Sequence, residues 1–174
     1  MRKPVVLVTG ANGEMGHGLI ERLTSTGEAS IVALDIVPVE ARLAKRCRST
    51  VVGSILDRSL LNRLASEHQI ETIYHLAALL STRAEYTPAA AHEVNVQGTL
   101  NLLDLATDQS RLHGHDVRFI FPSSIAVYGL PDLATKSSIA PLREIDWNQP
   151  RTMYGCNKLY CEHVGRHFAE SYRQ

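Results

Sequence analysis

Short apolar runs alternate with helix-like patterns along the chain, and turn residues separate them. Residues 5–8 are four contiguous apolar positions, which suits a strand covered on both faces rather than one with a wet side. Residues 4–9 are therefore the first predicted strand. A turn follows at 10–13, then a helix from 14 to about 25 with Met15, Leu19, Ile20 and Leu23 on one face. Further strands are predicted at 31–35 and 50–52, with a short helix or irregular stretch at 38–46 between them. Asp57 is placed as the N-cap of a helix carrying Leu60, Leu61 and Leu64. Residues 72–77 and 117–121 complete five strands. A long helix from 88 to about 108 separates the last two, and a final helix spans 152 to about 171. Residues 129–150 hold Pro131, Pro141 and Pro150 without periodicity, as a functional or mobile loop does.

Strand and helix in alternation imply a parallel sheet with helices on both faces. Right-handed crossovers then leave the doubly wound α/β arrangement, the Rossmann fold, as the expected topology. The chain has 174 residues, 44% of them hydrophobic and 21% charged, enough to bury a core without disulfides or metals. Eighteen basic residues balance 18 acidic ones, so the broad electrostatic footprint of a nucleic-acid or anionic-membrane binder is missing. The run at 5–8 is too short for a bilayer span or a signal sequence. Cys47, Cys156 and Cys161 show no CxxC spacing, and read as reduced thiols in a cytosolic protein.

The first candidate chemistry is Thr9-Gly10-Ala11-Asn12-Gly13-Glu14-Met15-Gly16, between a predicted strand and a predicted helix. Gly10 permits the tight turn, Gly13 lets a pyrophosphate approach, and Gly16 lets helix and strand pack closely. Asp35 ends the second strand 19 positions after Gly16, where a carboxylate accepts both ribose hydroxyls of an adenosine half. It would repel a 2′-phosphate, and Ile36, not Arg, follows it. NAD is expected rather than NADP. Tyr154 and Lys158 stand at i and i+4 of the last helix, side by side, so that the ammonium can favour phenolate. Ser123 and Ser124 follow the fifth strand, at the sheet edge where open α/β folds bind ligands.

These motifs, with His75-Leu76-Ala77-Ala78, Asn95-Val96-Gln97-Gly98-Thr99 and the run from Ser123 to Gly129, resemble the extended short-chain dehydrogenases/reductases, the NAD-dependent epimerase/dehydratase group. The resemblance implies a catalytic triad of Ser124, Tyr154 and Lys158. It lays Leu76, Ala77 and Ala78 along the cofactor and Asn95 near the active site, and Glu144 and Pro150 match the approach to the tyrosine. Where the group often has Gly-Asp against adenine, this chain has Gly53-Ser54-Ile55, so that contact is weaker or made by backbone. In all, the cofactor is expected against Gly10, Asn12, Gly13, Glu14, Met15, Gly16, Asp35, Ile36, Ser54, Ile55, Leu76, Ala77, Ala78, Asn95, Tyr154 and Lys158.

The resemblance further implies hydride transfer at a substrate carbinol with the tyrosine as acid/base, on a nucleotide sugar. Residues 77–81 and 150–155 are similar to the short-chain type of L-threonine 3-dehydrogenase, which gives an alternative substrate. A non-catalytic NAD-binding module is the reading of another class. Members of the group are nearly twice as long, so the chain is expected to be an N-terminal portion without the substrate domain, binding NAD but inactive by itself. A homodimer through paired helices is the implied assembly. His163 and His167 have the spacing of a helical zinc pair, but Val164 stands where a general-base Glu would be and no third ligand is evident. No metal is expected.

Overall fold

The computed structural model describes residues 4–25, 27, 29–139 and 141–172. Five parallel strands form one sheet in the order β3-β2-β1-β4-β5: β1 Val5–Thr9, β2 Ile31–Asp35, β3 Ser49–Val52, β4 Ile70–His75 and β5 Arg118–Ile120. The helices are α1 Glu14–Ser25, α2 Ala41–Ala44, α3 Arg58–Glu67, α4 Ser81–Tyr86, α5 Pro88–His92, α6 Gly98–His113, α7 Leu133–Ser138 and α8 Met153–Tyr172. The doubly wound fold is as expected.

The apolar run of β1 is divided by the pleat. Val5 and Leu7 pack with Leu60, Leu61, Leu64, Leu102 and Leu105 of α3 and α6. Val6 and Val8 pack with Ile20 and Leu43 of α1 and α2 on the other face. Two apolar layers explain why the run is continuous. Asp57 caps α3 as expected, its side chain accepting from the Leu60 N–H.

Several expectations need correction. Met15 is 63% exposed; α1 buries Gly16 and Ile20 and packs Leu19 and Leu23, so Met15 stands at the helix mouth instead of in the core. The fourth strand starts and ends two residues before the predicted span. Its start is fixed by buried Gln109 of α6, whose Oε1 accepts the Ile70 N–H at 2.8 Å while its amide donates to the Ala65 carbonyl. The long helix is broken. A π-helical turn, Glu93–Gln97, separates α5 from α6, and α6 runs on to His113 before Gly114 ends it in the left-handed region. The carbonyl at the bulge, that of Asn95, accepts from the Thr99 hydroxyl at 2.6 Å and the Cys161 thiol at 3.2 Å. Those side chains satisfy a carbonyl at a turn where the regular ladder is interrupted. The proline-containing loop carries α7, capped by Asp132, and crosses itself where a Cβ on Gly129 would lie 1.6 Å from the Gln149 carbonyl oxygen. Cys161 is buried and Cys156 is exposed.

Candidate functional site

At the carboxyl edge of the sheet the glycine turn forms a cradle that side chains would fill. Gly10 has φ +67°, and a Cβ there would meet the Ala77 nitrogen at 2.6 Å. A Cβ on Gly16 would meet the carbonyl oxygens of Gly10 and Ala11 at 2.5 Å. Both close approaches require glycine. Leu76 and Ala77 are therefore pressed against the turn, and Leu76 N–H donates to the Thr9 carbonyl. Glu14 and Met15 open the first turn of α1 to solvent.

Asp35 is tied to this turn. Its Oδ2 accepts the Asn12 N–H at 2.8 Å and its Oδ1 the Val37 N–H at 3.2 Å. Each carboxylate oxygen retains a lone pair for a ribose hydroxyl. Asn12 holds the other side of the loop, its Oδ1 meeting the Glu40 N–H at 3.0 Å and His17 Nε2 at 3.1 Å. Ile36 is exposed beside it. Across the cleft, Ser54 accepts the Leu56 N–H. Ile55 is buried beneath Gly98, and its carbonyl accepts from Asn101.

Between the cradle and α8 runs a buried polar chain whose connections motif reading did not show. The Thr99 proton goes to the Asn95 carbonyl, so Thr99 must accept from His75 Nε2–H at 3.0 Å. His75 Nδ1 then accepts the Thr9 hydroxyl proton at 2.9 Å, and Thr9 accepts from the Ala77 N–H at 3.5 Å. Every member is satisfied only with a neutral imidazole. Burial, with the charge of Lys158 as the smaller cause, holds His75 down to about 3. An unfolded histidine titrates near ~6.5. The folded value is lower, so stability is lost as pH falls from about 6.5 toward about 3, where only the unfolded chain takes the proton. Chemical denaturation at pH 5 is expected to show about 2 kcal/mol less stability than at pH 7, and His75→Gln should flatten that difference. An unchanged slope in the variant would assign the acid limb to other groups.

Asn95 is buried, with its amide in a two-way bond to Leu79: Oδ1 accepts the Leu79 N–H at 2.7 Å and Nδ2 donates to the Leu79 carbonyl at 3.0 Å. Its side chain shapes the segment after Ala78, which opens into α4.

Ser124 N-caps a 3-10 turn, Ile125–Val127, its Oγ accepting the Ala126 N–H at 3.2 Å. As an acceptor in that bond, the hydroxyl keeps its proton for another partner. Ser123 instead donates to Glu162. A Cβ on Gly155 would lie 2.1 Å from the Ala126 carbonyl oxygen, so the helix carrying Tyr154 rests backbone to backbone on the turn that Ser124 caps. Lys158, only 5% exposed, donates to the Pro122 carbonyl at 2.8 Å. Its Nζ is 4.1 Å from the Phe121 ring centroid and 5.6 Å from that of Tyr154. Burial lowers Lys158 to about 8, against smaller opposing effects of Cys161 and Glu162. Burial raises Tyr154 above its ordinary value. The side-by-side placement holds. In this state, however, the ammonium is directed at Pro122 and the phenol is held protonated rather than ionised.

The N-terminus of α8 is finished from outside. Glu85 of α4 accepts the Met153 N–H at 2.7 Å and the Tyr154 N–H at 3.5 Å through one oxygen. Sequence reading missed both Glu85 and α4, since six residues carry too little periodicity to reveal a helix.

A cavity of about 800 Å³ opens between β5, α8 and the 129–150 loop, lined by Phe119, Phe121, Glu144 and Glu162 among others; of the expected site residues it touches only Ser124. His163 and His167 are exposed. Among the described residues no group of three or more His, Cys, Asp or Glu could hold a metal ion, and no helix is long and apolar enough to cross a membrane.

Comparison with known proteins matches residues 6–174 to the NAD dependent epimerase/dehydratase family. The chain is similar to a human protein named inactive L-threonine 3-dehydrogenase, mitochondrial, at 30% identity over 93% of this chain and 66% of that protein. Among solved structures, a Thermotoga maritima UDP-glucose 4-epimerase with UDP-glucose superposes with a TM-score of 0.83 at 25% identity, covering 98% of this chain and 52% of the other. A monomeric L-threonine 3-dehydrogenase from a metagenome gives 0.79 at 31% identity, covering 97% and 50%. The chain thus spans between half and two thirds of the length of these relatives.

Proposed function

We propose, from the premise that the chain belongs to the NAD-dependent epimerase/dehydratase family, that its glycine turn and Asp35 hold NAD and that Ser124, Tyr154 and Lys158 act on a substrate carbinol. The observation that carries this reading is the seat of α8. Gly155 on Ala126 and Lys158 on Pro122 bring the serine turn, the phenol and the ammonium to one sheet edge. The cradle of Gly10 and Gly16 lies at the same edge.

NAD, when bound, supplies a hydride acceptor. The cradle at the N-terminus of α1 would hold its pyrophosphate, and Asp35 would hold the adenosine ribose. Ser124 donates to the substrate oxygen and orients it. Tyr154 takes the hydroxyl proton on its phenolic oxygen. A free phenol titrates near ~10, so acting at neutral pH requires about 4 kcal/mol of stabilisation for the phenolate. A Lys158 ammonium turned toward the phenol supplies part of it.

The 31% identical structure is named L-threonine 3-dehydrogenase and the 30% identical human relative an inactive L-threonine 3-dehydrogenase, which makes a 2-amino-3-hydroxy acid the first substrate to test. The TM-score of 0.83 to a UDP-glucose epimerase supports nucleotide sugars as the second. Incubation with NAD and either L-threonine or UDP-glucose decides. NADH accumulating with threonine supports dehydrogenation; UDP-galactose without net NADH supports epimerisation. Thermal stabilisation by NAD with neither product, in the 174-residue chain and in any longer form of the protein alike, leaves a non-catalytic binding module.

Asp35 also sets a cofactor test. Isothermal titration should give tighter binding of NAD than of NADP, and Asp35→Ala should shrink the difference by about tenfold, the value of one charged hydrogen bond. NADP binding tighter than NAD in the unsubstituted protein would remove Asp35 from the ribose.

A further inference from the structure

We infer that Glu85 is a positioning residue for Tyr154: a carboxylate on α4 that completes the N-terminus of the catalytic helix. This inference rests on the role proposed for Tyr154. The first N–H groups of a helix have no intrahelical partner. In α8 these are divided between two caps. Thr152 Oγ1 accepts the Gly155 N–H at 3.0 Å, the usual arrangement for an N-cap threonine. The N–H groups of Met153 and Tyr154 go to Glu85, 68 and 69 residues away in sequence.

A second capping side chain on another helix has a specific consequence. Thr152 can fix the pitch of its own turn but not where that turn sits. Glu85 fixes where it sits, because α4 is itself anchored. Its entry is held by the two-way bond between buried Asn95 and Leu79, and Ala84 is buried. The path from the π turn through Leu79 and α4 to Glu85 ends on the backbone nitrogen of the residue whose phenol does the chemistry. A helix of six residues has little stability of its own, so α4 keeps this place through its anchors and the Glu85 contact. The carboxylate also places a negative charge at the positive end of the helix dipole.

Glu85→Ala, Glu85→Gln and Glu85→Asp in the full chain test this. Amide hydrogen exchange at Met153 and Tyr154 should quicken by about tenfold or more in Glu85→Ala, the loss of a charged hydrogen bond. It should stay within about threefold of the unsubstituted protein in Glu85→Gln, which keeps an acceptor of the same length. The ¹³C resonances of the Tyr154 ring, assigned through Tyr154→Phe, should shift in Glu85→Ala and be restored in Glu85→Gln. Amides beyond the second turn of α8 should not change. If Glu85→Ala does not fold, Glu85→Asp decides, because its oxygen is withdrawn by one methylene and should quicken the same two amides. Unchanged exchange at 153 and 154, or a ring signal indifferent to Glu85, overturns the inference. These readouts need no turnover. A failed Tyr154 role would appear as Tyr154→Phe with full activity while the capping signals persist.

Discussion

Lys158→Met should yield a protein that is more stable at neutral pH and worse at holding its cofactor. Lys158 is lowered from an ordinary 10.5 to about 8 by burial. A lysine whose folded value is depressed destabilises the fold wherever it is protonated. The penalty is full below about 8 and disappears as pH rises toward 10.5. The difference corresponds to about 3 kcal/mol. Methionine has a similar shape and no charge. It loses the bond to Pro122 and the contact over Phe121, about 1 kcal/mol each. A net gain of about 1 kcal/mol, or about 2–4 °C in Tm, remains at pH 7. The gain should vanish above pH 10. NAD affinity should fall by about tenfold, because Lys158 is among the residues expected against the cofactor. Calorimetry with and without NAD separates the two effects. A variant that is less stable at pH 7 would show the ammonium to be held more favourably than its burial implies.

Tyr154→Phe should leave the fold and NAD affinity close to unchanged and lower kcat by about 10²-fold or more in whatever form of the protein turns over. The ring stays and only the oxygen that takes the proton is removed. Because burial raises the phenol, the unsubstituted protein should gain activity as rising pH increases the phenolate fraction. Its upper limit should come as Lys158 loses its charge above about 8. Most of the kcat surviving in the variant would end the proposed role.

The centre of the sheet was legible because β1 and β2 announce themselves by contiguous apolar residues, and the glycine turn because no other residue type fits at Gly10 and Gly16. What escaped was decided by contacts distant in sequence. The β4 start depends on Gln109, which lies 39 residues away. The π turn at Glu93–Gln97 is invisible to a 3.6-residue period, since its extra carbonyl is satisfied by Thr99 and Cys161. Tyr154 and Lys158 were found by helical spacing, but spacing could not say that the ammonium would be directed at Pro122. Glu85 carried no signal at all, as an exposed glutamate on a short helix looks like any solvated residue. His75 was read as part of a strand-end motif. Only the directions of four consecutive hydrogen bonds show it as the neutral centre of a buried chain.

The approach of Gly155 to Ala126 has a dynamic consequence. No side chain lies between the two backbones to act as a spacer, so thermal breathing of the protein interior has nothing compressible to work on there. Ser124 and Tyr154 should fluctuate as parts of one rigid body, with correlated displacements and high NMR order parameters. Any opening that admits a substrate should then come from the 129–150 loop, and the spacing between hydroxyl and phenol should be the same in the open and closed states.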